Sequence, residues 1–517
     1  MSRSPLELPE IVGHVLQYLD GKSLVAAAQV NRLWAEEATT WIWRGSYRSL
    51  ESFSLPLRTL ATESPKERRD WYSKKIRHLD IERADDDDNT FILPIIELLK
   101  RKRFYFPNVK SLIIDVGSEN MNEMDMAHFL QPNLVCLELY GGYYSQFFLE
   151  VTRRRAPSLR SFLLSNRLLT ENPLTTLLTE DDFLNFLKAM PSIKHLDLSV
   201  GWDTLLTENM MIYLMFRPGL EMLSLGRGSL LRYSTVREAM GKNPDRVPFP
   251  HLRALDVTAE DEALRLFLPL LKNLQAVDIA VVDCKFLADL PHYASSCTQL
   301  EEIDICWYGQ GEFTGKSLLD LASHCPMLRR VQMEYGPSRI IDISDETVEM
   351  LAAKLVHLEV LTLPFDFDSG EISSKSLASL ARHCPRLQEL TMLADIEFIQ
   401  LDHEPEQLHF PSLWRLSLGR IKAVRHPAEL EEEKNMAAFP DRIIQLLDKR
   451  FPSLTEFNFT PIFTHDDHAD PYIVKIRQHF LQRSRPFSMP WRVSSKLKER
   501  LIESVPGSRY NPFPPDV

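Results

Sequence analysis

One phrase recurs along most of this chain and limits what it can fold into. It is an apolar residue, two variable residues, an apolar, one variable and an apolar, as in "NLVCLEL" (133–139), "SIKHLDL" (192–198), "HLRALDV" (251–257) and "RLQELTM" (386–392). Taking the first apolar residue as anchor, fourteen copies run from Ile76 to Leu454 at gaps of 22 to 41 residues. The second half of the phrase alternates with period two, as a short strand with one buried face does. Between copies the period changes. "TEDDFLNFLKAM" (179–190), "SDETVEMLAAKL" (344–355) and "SSKSLASLARHC" (373–384) place apolar residues at helical spacing behind a Ser or Thr that suits a helix start. One strand and one helix bury a continuous core only by stacking on their neighbours.

This pattern is that of an α/β leucine-rich-repeat solenoid, expected as a horseshoe with a parallel concave sheet and outer helices. Copies such as "LASHCPMLRRVQM" and "LARHCPRLQELTM" resemble the cysteine-containing leucine-rich-repeat subfamily. Cys297, Cys325 and Cys384 each sit three residues before an anchor. A small, weakly polar side chain fits a helix-to-strand corner, and positions a full repeat apart do not converge on one metal ion.

The first 44 residues are different. "LELPEIVGHVLQYLDGKSLVAAAQVNRLWAEEATTWIWR" reads as Leu-Pro-Glu, an amphipathic helix, an Asp-Gly turn, a second apolar helix and a stretch closing in tryptophans. Such a module is too small to be amply stable alone, and its apolar faces point to a partner. It resembles the F-box, with Asn31 where that family often has Cys or Ser. The resemblance implies a small all-α domain docking on the Skp adaptor, and through it a cullin–RING ubiquitin ligase. The implied adaptor contacts are Leu8, Pro9, Ile11, Val12, Val15, Leu16, Leu19, Leu24, Val30 and Trp34. The competing expectation is that these helices merely cap the first repeat.

The resemblance further implies that the repeats select a target protein on the concave face. Alternation turns the second, fourth and sixth residues after each anchor outward there. The fourth position is acidic in six of the fourteen copies and never basic. Asp197, Asp256, Asp278, Glu302, Asp304 and Glu334, with the strand-end aromatics Trp307, Tyr308 and Tyr335, therefore form the candidate target surface, suited to a basic segment. Ordinary solvated repeat wording is the alternative.

Net charge of −12 argues against nucleic acid as the partner, and the chain shows neither a signal-peptide core nor a membrane span. Six scattered cysteines suit reduced thiols in the cytosol or nucleus. "WYGQGEFTGKSLLDL" (307–321) ends in Gly-Lys-Ser, but position 310 is Gln where a phosphate loop needs Gly. "THDDHAD" (464–470) and "DDDDN" (85–89) read as polar loops rather than metal sites. "KRKR" (100–103) and "RRR" (153–155) follow helices, where cations are favoured. No cofactor and no catalysis by this chain are expected. The expected layout is an F-box at 1–47, a linker at 48–74, repeats at 75–462, and a C-terminal cap with a Pro-rich tail at 463–517. The functional expectation is a non-catalytic substrate-recognition subunit of an SCF-type ligase; the alternatives are a repeat scaffold without a ubiquitin role, and a nucleotide-dependent enzyme using 309–317.

Overall fold

The computed structural model describes residues 6, 8–44, 65–81, 92–117, 123–141, 144–165, 178–199, 203–226, 229–284, 287–308, 313–334, 340–363, 372–392, 409–418, 433–459, 475–476 and 478–480. The chain divides into two compact units, one holding Met1–Ser229 and one holding Leu230–Ser494.

The first unit opens with three helices, α1 (Pro9–Leu16), α2 (Gly21–Ala27) and α3 (Arg32–Arg44). Pro9 sits at the first turn of α1, where its missing N–H costs nothing. Helix α1 stops earlier than the Asp20-Gly21 pair because Asp20 caps the next helix, accepting from the Ser23 amide at 2.8 Å. Asn31 caps α3 in the same way, accepting from the Trp34 amide at 3.0 Å. A further helix, Lys66–Ser73, lies inside the expected linker and leads into the repeats.

Every one of the fourteen phrases forms a strand. In the first unit these are β1 (His78–Ile81), β2 (Ser111–Gly117), β3 (Cys136–Gly141), β4 (Ser161–Ser165), β5 (His195–Ser199) and β6 (Met222–Ser224), each parallel to the next. The register follows the phrase: Asp80, Ile113, Glu138, Leu163, Asp197 and Ser224, all fourth positions, lie opposite one another in turn. The odd positions point the other way, onto the helices. Phe162 of β4 meets Phe186 and Phe183 of helix Glu180–Ala189 with ring centroids 5.3 and 6.5 Å apart. That helix opens on a Thr179–Asp182 capping box.

The second unit repeats the scheme. A short β7 (Leu230–Leu231) pairs with β8 (Ala254–Glu260), followed by β9 (Ala276–Val282) and β10 (Glu302–Tyr308). After the two-residue β11 (Phe313–Thr314) come β12 (Arg330–Glu334), β13 (Ile340–Ile341), β14 (Val360–Leu363), β15 (Glu389–Met392), β16 (Arg415–Leu418) and β17 (Glu456–Phe459). Strands β8, β9, β10, β12, β14, β15, β16 and β17 form one parallel run, and β11 pairs with β13 separately. Thr314, Ser344 and Ser373 cap the helices that follow them. The arrangement in each unit is that of a leucine-rich-repeat solenoid. No helix among the described residues is long and apolar enough to cross a membrane.

Candidate functional site

Helix α1 is apolar on two sides, and the structure assigns them different tasks. Val12 and Leu16 are fully buried and join Leu24 and Ala27 of α2 and Ala38 of α3 in a small core of their own. Leu19, Leu33, Trp34, Trp41 and Ile42 pack around it. On the other side Leu8, Ile11 and Val15 remain 38, 41 and 39% exposed. This divides the expected adaptor contacts. Val12, Leu16 and Leu24 are interior residues that hold the helices together, and Leu19 and Trp34 are partly buried against them. Leu8, Pro9, Ile11, Val15 and Val30 face solvent. Three exposed apolar residues escaped the sequence reading: Leu6, Tyr18 and Val25. Tyr18 lies just past α1, three residues after Val15, and Val25 stands on α2.

The three helices are more than a lid on the first repeat, because they own a core. They are nonetheless fixed to it. Lys75, buried just ahead of β1, donates from Nζ to the Glu36 carbonyl (3.0 Å), Glu36 Oε1 (2.7 Å) and Thr40 Oγ1 (2.8 Å). Its ammonium also stands 4.2 Å above the Trp71 ring. Trp43 packs on Tyr72 at 4.5 Å, and the Arg77 amide donates to the Arg44 carbonyl at 2.9 Å.

Residues 9–49 match the family model for F-box-like domains. The N-terminal helices are an F-box-like domain. Among solved structures, that of the Rad7 and Elc1 complex in yeast aligns over 85% of this chain and 92% of that one, at 13% identity and a TM-score of 0.40. The leucine-rich-repeat-containing protein LegL7 from Legionella pneumophila aligns over 60% of this chain and 90% of its own, at 14% identity and a TM-score of 0.27. No curated protein sequence matches. Likenesses this loose transfer no function, so the residues themselves must carry the reading.

Behind the F-box-like domain, the outward face of the strands carries the expected acids, but they are less open than solvated repeat residues would be. In the first unit Asp197 is 6% exposed. In the second unit Asp256, Asp278 and Asp304 stand opposite one another on β8, β9 and β10, with Gln332 next. Asp256, Glu302 and Asp304 expose less than a tenth of their surface, and Asp278 is half-buried. Strands about 4.8 Å apart crowd such side chains against each other. Glu302 lies opposite Arg330, which donates to Gln332 Oε1 at 3.2 Å. Farther along, Arg415 bonds Glu389 (2.9 Å) on one neighbouring strand and Glu456 (2.7 Å) on the other.

The aromatic expectation needs one correction. Trp307 is wholly buried, its ring 6.4 Å from Phe313, and offers nothing to a partner. Strand β10 runs three residues past the phrase, so alternation continues: Trp307 turns inward with Ile305, and Tyr308 turns out, 43% exposed. Glu334 ends β12, and Tyr335 lies outside the described residues.

The remaining motifs resolve structurally where they are described. Gly315 of the Gly-Lys-Ser run starts helix Gly315–His324, and a Cβ there would collide with the Asp342 carbonyl oxygen. Close approach of a neighbouring repeat, not a phosphate, requires that glycine. Positions 309–312, 464–470 and 85–89 lie outside the described residues. Lys100 is ion-paired with Asp125, while Arg153 and Arg154 bond Glu150 at 2.6 and 2.8 Å. The cysteine corners work as hydrogen-bond donors between repeats. Cys297 reaches the Leu271 carbonyl (3.4 Å), Cys325 the Cys297 carbonyl (3.7 Å) and Cys384 the Leu355 carbonyl (3.5 Å). Burial pushes these thiols up to about 12, 11 and 12, far from the thiolate that nucleophilic or ligand chemistry needs.

Proposed function

We propose that this chain is the substrate-recognition subunit of an SCF-type ubiquitin ligase. The F-box-like domain docks on a Skp-type adaptor, and through it on a cullin–RING assembly, while the outward face of the repeats holds a target protein for ubiquitination. The chain positions both and performs no chemistry itself. The observation that carries this reading is the exposed apolar side of α1 on a domain whose core is already filled by Val12, Leu16, Leu24, Ala27 and Ala38. Leu8, Ile11 and Val15 have no structural need to be apolar where they stand. Covering the part of each still open to water stabilises a complex by about 1–2 kcal/mol per side chain. The acidic residues of β8, β9 and β10 support a target with a basic segment. Six free, buried cysteines suit work in the cytosol or nucleus.

The test is co-purification of the adaptor with the full chain, with Ile11→Asp/Val15→Asp, and with Leu16→Ala. The first variant should keep its fold and lose the adaptor. Leu16→Ala should unfold the domain, losing adaptor and helicity together. A parent chain that fails to retain the adaptor rules the reading out and leaves a repeat scaffold.

A further inference from the structure

A ladder of backbone hydrogen bonds crosses the repeats just ahead of the strands, one residue per repeat. In the first unit the amide of Arg77 donates to the carbonyl of Arg44 (2.9 Å) and that of Lys110 to Arg77 (2.8 Å). Val135, Arg160, Lys194 and Glu221 follow, each donating to the rung before it at 2.8 Å. Neighbouring rungs are thus one strand spacing apart, about 4.8 Å. Five of the first six are cations, and only Val135 breaks the row.

The middle of the row is poorly neutralised. Lys194 bonds Glu221 at 2.5 Å, which closes the far end. Arg77, Lys110 and Arg160 have no carboxylate partner among the described residues; the Arg77 guanidinium donates instead to the Asn108 carbonyl at 3.2 Å. Burial, and then the charges of Arg77 and Arg44, push the Lys110 ammonium below its ordinary range. The same rung in the second unit behaves differently. There Glu301, Arg329 and Glu359 alternate in sign, with Arg329 3.6 Å from each acid. The fold therefore tolerates either pattern, and a row of like charges works against it.

We propose that this row binds an extended acidic segment of a protein partner. The inference rests on the reading of the repeats as a target-holding surface and adds the chemistry of a second contact. From Arg44 to Lys194 the row spans five strand spacings, about 24 Å, the length of about seven residues of extended chain. A compact polyphosphate would cover only two or three rungs. The proposed role of the repeats, which hold a target protein, makes the occupant a protein segment rather than a nucleic acid. Because Arg44 is the last residue of α3, the bound segment begins beside the F-box-like domain.

The test measures binding of a fluorescent ten-residue peptide carrying six Asp and Glu to the purified full chain, against an Asn/Gln counterpart. The acidic peptide should bind preferentially. Arg77→Gln/Lys110→Gln/Arg160→Gln should weaken it at least about tenfold, whereas Lys272→Gln, an exposed cation off the row, should not. The melting temperature of the triple variant should equal or exceed that of the parent, since mutual repulsion is relieved. Should the triple variant misfold, Lys110→Gln alone carries the test with a smaller shift. Equal binding of both peptides, or acidic binding indifferent to the row, overturns the proposal. So does row-dependent binding of inositol hexakisphosphate or a ten-nucleotide DNA more tightly than the peptide. No adaptor enters the assay, so its outcome is separate from that of adaptor co-purification.

Discussion

Lys75 is the residue to remove if the F-box-like domain is to be loosened from the repeats. Its buried ammonium makes three hydrogen bonds to α3 and lies over Trp71. Consider Lys75→Met, which keeps the stem and deletes the charge. The Glu36 carboxylate is more than half exposed and rehydrates, so that ion pair contributes little. The bonds to the Glu36 carbonyl and Thr40 hydroxyl are charge-assisted, about 1.5–3 kcal/mol each in isolation. The cation–π contact adds about 1 kcal/mol. Against these stands the desolvation of the ammonium, which methionine no longer suffers. A net loss of about 2 kcal/mol follows, equivalent to about a thirtyfold rise in the opening equilibrium between α3 and the first repeat. Hydrogen exchange reads this directly. Amides of Arg32–Arg44 and Lys66–Ser73 should exchange about thirty times faster, while those of β8 to β10 stay unchanged. Unaltered protection of both helices would show that the Trp43–Tyr72 packing and the Arg44–Arg77 backbone bond hold the joint alone, and the reasoning would fail.

Three other outcomes are expected. His78 is buried beside Arg44, Arg77 and Lys110, and burial first, then those charges, depress its pKa to about 3. The unfolded chain therefore takes up the proton first: stability is full above about pH 6.5 and falls by about 1.4 kcal/mol per unit as pH drops towards 3, so His78→Gln should flatten urea-measured stability between pH 6 and 4.5 by that slope. An identical slope in the variant would refute the assignment. Gly315→Ala should cost about 1–3 kcal/mol in thermal unfolding, because the Asp342 carbonyl must move; an unchanged melting temperature would contradict the packing. All six cysteines are free and buried, so a thiol reagent should titrate none in native buffer and six in denaturant.

The strands were legible because their signal is local and repeated. A period-two phrase specifies which face is buried, and stacking forces like positions into register, so anchors alone place Asp256 opposite Asp278 and Asp278 opposite Asp304. Trp307 was misplaced because the phrase ends before the strand does, although carrying the alternation two residues farther turns it inward. Lys75 carries no periodic signal, and the rung cations, although each directly follows an anchor, show their purpose only when the repeats stack. What sets them apart is which residue of another repeat, or of α3, comes to lie beside them, and that is decided by tertiary stacking. The partial burial of the outward acids is likewise a property of neighbouring strands, invisible within any one phrase.

Helix α1 shows why periodicity finds an apolar helix yet does not separate its two apolar faces. A helix apolar around most of its circumference is buried on most of it, but three short helices offer only one inner side. Val12 and Leu16 take that side, and Leu8, Ile11 and Val15 are left over. Sequence alone sums the two sets into one greasy helix, since both have helical spacing. Stability separates them. A fully buried Leu→Ala change costs about 2–5 kcal/mol, enough to unfold a domain with so small a core, whereas truncating a side chain already two-fifths exposed costs far less in the free chain. Leu16→Ala and Ile11→Ala should therefore differ sharply in melting the F-box-like domain. Only Ile11→Ala should leave a folded domain that binds the adaptor weakly. If Leu16→Ala stayed folded while Ile11→Ala melted the helices, the inner and outer faces of α1 would be reversed, and the docking surface with them.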